Sequence, residues 1–174
     1  LSASAGQLAD KYEKSRFIRW IKLFEIAIMT IGAVGFWQSN LTLLFAALFL
    51  MGVHSTLFGP VKYAILPQHL KHDELIGGNG LVEMGTFVAI LLGTIVGGLV
   101  VAIPGYGPVL AGAVAVAVAV AGWLVSRGIP NTPAVAPDLA LNWNPFTETA
   151  QNLRFAYGNR VVWLSMLGIS WFWF

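Results

Sequence analysis

The uncharged run from residue 26 to residue 61 constrains the fold of this chain more than any other feature. It holds about 36 residues, and one polar interruption, Gln38-Ser39-Asn40, divides it. Because a helix rises about 1.5 Å per residue, about 20 apolar residues cross the ~30 Å hydrocarbon layer of a membrane. The run is therefore predicted to be a helical hairpin, with residues 41–65 as its second span.

Composition places the chain among membrane proteins. Hydrophobic residues make up 57% and charged residues 10% of its 174 positions, and the mean hydropathy is +0.73. Ordinary soluble domains carry about 25% charged residues. We therefore predict an all-α integral membrane protein surrounded by the lipid bilayer. The net charge is +2, and the basic residues are distributed among the loops and do not form one patch. This distribution argues against a nucleic-acid partner.

Hydropathy and turn residues divide the chain into four complete spans between two stubs, as in a piece of a longer helix bundle. The spans are predicted at about residues 17–37, 41–65, 81–103 and 109–126, and the stubs at residues 1–9 and 161–174. All Lys and Arg residues fall in or near segments on one side, which the positive-inside rule makes cytoplasmic. Gly93 and Gly97 form a G-x-x-x-G pair, which favours close helix packing within the fold or in a dimer.

These segments predict three parts. Residues 1–127 belong to an N-terminal transmembrane bundle, residues 128–160 form a central cytoplasmic loop, and residues 161–174 begin a second bundle. Three prolines early in the loop favour an extended linker. Asn144 followed by Pro145 is typical of the start of a helix, here a short amphipathic one.

Lys62 is the first candidate functional residue, because it is a lone cation near the end of an apolar span. A charge at bilayer depth is penalised by roughly 2.5 to 3.5 kcal/mol, so its ammonium is expected to face the protein interior or a wet cavity. Pro60 is predicted to bend or break the helix just before it. The alternative is that Lys62 snorkels to lipid headgroups.

Further ionisable residues inside the predicted spans are grouped with Lys62. Glu83 lies near the same depth and is expected either to pair with Lys62, as part of a gate, or to cap its own helix. His54 is assigned to the candidate substrate site. Its two alternative roles are a proton relay and a hydrogen bond to a neighbouring helix. Glu25 is similar, with Lys22 three positions away for a local pair.

The sequence lacks the common motifs of enzymes. It contains no G-x-S-x-G elbow, no H-E-x-x-H pair and no P-loop, so neither catalytic residues nor a cofactor are predicted. His69, His72 and Asp73 could be imagined as metal ligands, but a mixed-charge loop at a membrane surface accounts for them, and no metal site is predicted. The lack of cysteine excludes disulfides and thiolate chemistry.

The beginning of the chain resembles the G-x-L-a-D-R-x-G-R-R signature that joins the second and third helices of the major facilitator superfamily. The residues that carry the resemblance are Gly6, Leu8, Asp10 and Lys11, followed by Lys14 and Arg16. Glu13 and Ser15 depart from the pattern.

This resemblance implies a partial major-facilitator-type bundle, from the end of helix two to the start of helix seven. The C-terminal six-helix half of the same chain would be its partner. The resemblance also implies that Asp10 accepts hydrogen bonds or bases across a cytoplasmic gate, with Lys11, Lys14 and Arg16 as nearby partners. The alternative is that Asp10 is a solvated loop acid.

Two longer strings resemble the bacterial lysophospholipid transporter family. They are Phe58-Gly59-Pro60-Val61-Lys62-Tyr63-Ala64-Ile65-Leu66 and Asn79-Gly80-Leu81-Val82-Glu83-Met84, the latter running on to Ile90-Leu91-Leu92-Gly93. The resemblance implies import of lysophospholipid, chiefly lysophosphatidylethanolamine, across the bacterial inner membrane for reacylation. Lys62 would hold the lipid phosphate.

Two alternatives to lysophospholipid import stay open. One is a major-facilitator exporter of another amphiphilic small molecule, and the other is a non-transport membrane scaffold for acyltransferase domains. Some relatives carry the membrane part fused to such domains.

Overall fold

The computed structural model describes residues 2–142 and 144–173, and within them the chain is helical. The helices are α1 (Ser2–Lys11), α2 (Lys14–Trp37), α3 (Leu41–Ala64), α4 (Leu75–Val101), α5 (Gly107–Ser126), α6 (Pro145–Tyr157) and α7 (Arg160–Trp173). Two short 3-10 helices, Leu66–Gln68 and His72–Glu74, lie between α3 and α4. The described ranges contain no strand, in agreement with the predicted all-α class. Leu1 and Phe174, the outer ends of the predicted stubs, lie outside them.

Three helices of the described ranges are long and apolar enough to cross a membrane, whereas the sequence predicted four. They are α3 and α4, each with its adjoining 3-10 turn, and α5. The fourth predicted span, residues 17–37, is helical as part of α2 but is not among the three. The first half of α2 carries five charged side chains: Lys14, Arg16, Arg19, Lys22 and Glu25. Two of these charges, Lys22 and Glu25, pair with each other, whereas the Arg16 side chain is exposed.

The predicted hairpin turn lies between α2 and α3. The Asn40 side-chain oxygen accepts hydrogen bonds from the N–H groups of Thr42 and Leu43, at 3.0 and 3.3 Å, and so caps the start of α3. Ser39 adopts a left-handed φ of 52° in the turn. Just before the turn, a Cβ at Gly35 would lie 2.9 Å from a Leu44 methyl carbon, so glycine here lets the two helices meet.

The structure differs from two details of the predicted helices. A bend or break was predicted at Pro60, and the break does not occur, because α3 continues past Pro60 to Ala64. α4 begins at Leu75, six residues before the predicted start, and includes the glycine-rich segment 77–80. Glu74 lies at this start and accepts a hydrogen bond from the Lys71 N–H at 2.9 Å. Where the backbone borders lipid, its polar groups must bond within a helix, which outweighs the weak helix propensity of glycine.

α2 lies at the centre of the fold and packs against both α3 and α5. At its first half, a small buried core joins the ends of three helices: Ala9 of α1, Ile18 and Ile21 of α2, and Val61 of α3. Ile129, after α5, packs against this core as well. α4 has no buried residue in the described ranges and contacts α5. α2 therefore positions Lys22 and Glu25 against α3, whereas Glu83 lies on α4, which packs against α5.

The contact between α2 and α5 predicts a strong effect of substitution at Gly112. A Cβ at this position would lie 2.8 Å from the Ala33 Cα, so Gly112→Val must push the two helices apart. Overpacking of this kind typically costs about 1–3 kcal/mol. We expect a lower melting temperature of the purified full-length protein in detergent. Ala113→Val, on the exposed neighbouring position, is the matched control, and equal melting temperatures of the two variants would contradict the packing.

Candidate functional site

Lys62 lies near the end of α3 with its ammonium against α4. Its Nζ donates a hydrogen bond to Thr86 Oγ1 at 3.2 Å and lies 3.9 Å from Glu83 Oε1. The same ammonium lies 4.7 Å from the centre of the Tyr63 ring, within reach of a cation–π interaction. The structure thus brings together the two charges that the sequence placed at similar depth.

The Lys62 site is half-buried and its polar groups are oriented. The side chains of Lys62 and Glu83 are 23% and 39% exposed. Thr86 donates its own hydroxyl hydrogen to the Val82 carbonyl at 2.8 Å, which leaves its oxygen to accept from Lys62. Glu83 and Thr86 are three positions apart on α4 and therefore share one face of that helix. The arrangement presents a cation and a carboxylate to the same accessible region.

A second cluster of charges lies between α2 and α3. Glu25 Oε2 lies 2.7 Å from Lys22 Nζ and 3.4 Å from His54 Nε2. The Phe58 ring stacks on the His54 ring, with centroids 5.9 Å apart, and lies 4.8 Å from Lys22 Nζ. The predicted local pair of Lys22 and Glu25 is present.

His54 therefore belongs to the Glu25 cluster in this structure and not to the Lys62 site, with which the sequence grouped it. The two residues are eight positions apart on α3, about 12 Å along the helix axis. The His54 ring is buried, and neither ring nitrogen has a hydrogen-bond partner of good geometry within the described residues. The spacing of the two residues follows from the sequence, but the contact of His54 with Glu25 of α2 does not, because it depends on how α2 packs against α3.

The loop between α1 and α2 is organised by Glu13, the residue that departs from the resembled signature. Its carboxylate accepts hydrogen bonds from the backbone N–H groups of Ser15, Arg16 and Thr132, at 2.9 to 3.0 Å. The Ser15 hydroxyl adds a bond of 2.6 Å. Burial by itself would raise the pKa of Glu13, but these hydrogen bonds outweigh it and hold the pKa below its ordinary value. Glu13 is thus the N-cap of α2, and it also links α2 to Thr132 in a distant part of the chain.

The distant chain is a segment that we call the strap, residues 129–142, which follows α5. Thr132 is fully buried within it. Besides the bond to Glu13, the Thr132 carbonyl accepts from the Lys14 N–H at 3.0 Å, and its hydroxyl lies 2.8 Å from His69 Nε2. The strap has no helix or strand, in keeping with a linker, but it is docked across the ends of α1, α2 and α3.

Further along the strap, α1 supplies the contacts. The Ala136 N–H donates to the Asp10 carbonyl at 3.0 Å. Lys11 Nζ donates to the Leu139 carbonyl at 2.8 Å. Gln7 and Asn142 exchange two bonds, at 2.8 and 3.3 Å. The signature segment therefore holds the strap, a contact that the hydropathy pattern does not predict.

The remaining signature residues make few side-chain contacts in the described ranges. Asp10 is exposed, and its carboxylate belongs to none of the four ion pairs in the described part of the chain. Arg16 lies 3.8 Å from Glu13 with its side chain 81% exposed. Lys14 is fully buried, and its Nζ has no hydrogen-bond partner among residues that the structure describes. A Cβ at Gly6 would meet nothing within 4 Å. The pairing of Asp10 with nearby bases stays a prediction.

An apolar groove of about 500 Å³ runs between α2, α4 and α5. Glu25 is its one ionisable lining residue in the described ranges, and Gly93 and Gly97 form part of its wall. A Cβ at either glycine would meet nothing within 4 Å, so this G-x-x-x-G pair makes no close helix contact here. No group of three or more metal-ligating side chains occurs in the described part of the chain.

Comparison with known proteins supplies a family and several named relatives. The family model of the Major Facilitator Superfamily matches residues 1–174. The chain is 30% identical over 179 residues to the lysophospholipid transporter LplT of Serratia proteamaculans, covering 99% of this chain and 42% of that protein. It is 31% identical over 175 residues to the protein of the same name from Enterobacter sp., covering 97% and 40%.

A third relative, the lysophospholipid transporter LplT of Klebsiella pneumoniae, is 29% identical over 170 residues, covering 97% of this chain and 40% of that protein. The chain thus spans about two fifths of the length of these curated relatives. No solved structure matches it.

The lowered pKa of Glu13 predicts a pH-dependent contribution to stability. A depressed carboxylate pKa stabilises the fold above the ordinary value of 4.5, and the contribution is lost as the pH falls through the folded-state pKa. Glu13→Gln should lower stability at neutral pH by about 1 kcal/mol, as for other N-caps. Melting temperatures of the two full-length proteins should converge on acidification. A difference that is the same at every pH would contradict the role of the charge.

The Glu25 cluster predicts non-additive substitutions. Glu25→Leu leaves the Lys22 ammonium without its carboxylate and should lower the free energy of unfolding by about 3 kcal/mol, the low end for a buried pair, because the two side chains are 20% and 17% exposed. The double variant Glu25→Leu, Lys22→Met removes both charges and should recover most of that loss. Thermal melting of the full-length protein provides the measurement, and a double variant no more stable than Glu25→Leu would show that the pair is not the stabilising interaction.

Proposed function

This chain belongs to the major facilitator superfamily, and we propose that the protein containing it carries lysophospholipid across a membrane by alternating access. The observation that carries the proposal is the half-buried Lys62 ammonium, held between apolar helices beside an accessible carboxylate. The names of the relatives, which match nearly the whole chain, support the same cargo.

The chemistry of the site suits such a lipid. A lysophospholipid has one apolar chain and an anionic phosphate, and Lys62 offers a cation among apolar side chains. Because ion pairs strengthen away from water, an ammonium at this depth binds phosphate more tightly than a surface lysine does. Losing the phosphate contact should therefore weaken headgroup capture more than it weakens contacts to the chain.

The transport cycle that we propose uses both halves of the protein. The C-terminal six-helix half supplies the other wall of the cavity, and rocking of the halves exposes Lys62 to each side of the membrane in turn. The loops rich in Lys and Arg face the cytoplasm, in the bacterial inner membrane. Lysophosphatidylethanolamine is the main proposed cargo, delivered for reacylation.

Gating is assigned to the cytoplasmic ends of the helices. Asp10, Lys11 and Arg16 lie at or beside the loop between α1 and α2, which contacts the strap. Glu83 lies beside Lys62. A transporter of another amphiphile would keep this architecture but not the need for a phosphate. A scaffold for acyltransferase domains would need no transport at all.

The first test is transfer of labelled lysophosphatidylethanolamine into liposomes that hold the purified full-length protein. Lys62→Ala should reduce the transfer rate tenfold or more, because a hydrogen bond to a charged group is worth about 1.5–3 kcal/mol. Lys62→Arg keeps the cation and should retain part of the activity. Lys71→Ala, which removes a lysine from the exposed loop before α4, is the matched control.

The outcomes separate the hypotheses. Equal transfer by wild type and both Lys62 variants would show that Lys62 only snorkels. No transfer by any of them, with movement of a phosphate-free amphiphile, would keep the transporter and change the cargo. No movement of either molecule by the wild-type protein would favour the scaffold.

A further inference from the structure

We propose that Lys62 and Glu83 form a dipolar site for a zwitterionic headgroup, in which Lys62 takes the phosphate and Glu83 takes the ammonium. This inference rests on the proposed function and adds to it a residue that selects among headgroups. It makes Glu83 a specificity-determining residue, where a gate residue alone would treat all headgroups alike.

The geometry of the pair carries the argument. Lys62 Nζ and Glu83 Oε1 are 3.9 Å apart, too far for a hydrogen bond but close enough to neutralise each other. The other lysine–glutamate pair of the described residues, Lys22 with Glu25, is closed at 2.7 Å and its side chains are less exposed. One pair is thus closed by a hydrogen bond. The other, the open pair, has no hydrogen bond between its charges and is more exposed.

Both charges of the open pair have unused hydrogen-bonding capacity. A lysine ammonium has three donors, and within the described residues Lys62 donates only to Thr86. The Glu83 carboxylate accepts no hydrogen bond from any residue in the described ranges, although it has two oxygens. A ligand that brings its own acceptor and donor can therefore satisfy both without displacing an existing hydrogen bond.

Charge balance explains why the site distinguishes headgroups. Phosphoethanolamine carries a phosphate and an ammonium joined by a short ethylene bridge, so it presents opposite charges to Lys62 and Glu83 together. An anionic glycerol headgroup compensates Lys62 but draws it away from Glu83, which is then left without a partner. An unpaired charge at low dielectric is unfavourable, so the site should prefer the zwitterion.

Thr86 holds the ammonium in position for this exchange. Its hydroxyl hydrogen is engaged by the Val82 carbonyl at 2.8 Å, so its oxygen can only accept, and it accepts from Lys62. Thr94 makes the same bond to the carbonyl four residues before it, at 2.8 Å, but lies away from Lys62 on an exposed position. Thr86 is thus a positioning residue, and Thr94 is its natural control.

The test compares two lipids in one assay. Full-length protein in liposomes is presented with lysophosphatidylethanolamine and, separately, with lysophosphatidylglycerol. The quantity measured is the transport rate of the ethanolamine lipid divided by that of the glycerol lipid. Glu83→Gln should lower the ratio by about tenfold, the low end of what a lost hydrogen bond to a charged group produces. The fall should come from the ethanolamine lipid, while transport of the glycerol lipid is kept or increased. Glu83→Asp keeps the charge and should retain a ratio closer to wild type.

Matched variants and the remaining outcomes make the proposal falsifiable. Glu74→Gln, which removes an acid at the start of the same helix, should leave the ratio unchanged. Thr86→Val should weaken transport of both lipids, and Thr94→Val should not. If Glu83→Gln reduces both lipids equally, or neither, the dipolar site is wrong while the proposed transport stands. If the wild-type protein moves neither lipid, the proposed function fails and this inference fails with it.

Discussion

The scarcity of water around most of this chain explains both its helical backbone and the positions of its charged side chains. In hydrocarbon, backbone polar groups must bond within a helix and charges must find partners within the protein. The first requirement accounts for a chain of helices that runs through Pro60 and through the glycines of α4. The second accounts for where the charges lie. Lys22, Glu25 and His54 meet at the contact of α2 with α3, and Lys62 meets Glu83 at the facing sides of α3 and α4.

The two lysine–glutamate pairs illustrate how one interaction serves two purposes. Lys22 and Glu25 are on one helix, lie in direct contact and are shielded by Phe58, so they form a compact structural unit. Lys62 and Glu83 are on different helices, are partly exposed and do not touch. A pair of the first kind resists change, and a pair of the second kind can exchange partners with a ligand. The difference lies in separation and exposure, since the residue types are the same.

Near the same ends of the helices, Glu13 and Thr132 join parts of the chain that are 119 positions apart. One carboxylate begins α2 and holds the strap, and the buried Thr132 links the strap onward to His69. The Gly6–Arg16 signature segment therefore contacts the strap that follows α5. Movement of either segment would displace the other. Sequence comparison treats Glu13 as a departure from the family pattern, yet it makes more hydrogen bonds than any of the residues that fit.

The amino-acid sequence alone suffices to predict the class of the protein, the helical hairpin at Asn40, the helices that follow it and the similar level of Lys62 and Glu83 on neighbouring helices. These follow from hydropathy and from local capping, which depend on neighbours a few positions apart. Only tertiary packing establishes the start of α4 at Leu75, the contacts of His54 with Glu25 and Phe58, the open geometry of the Lys62 pair and the docking of the strap. Each of these depends on where two helices or a loop lie relative to one another. A one-dimensional pattern records which face is apolar, but it does not record which distant side chain that face will meet.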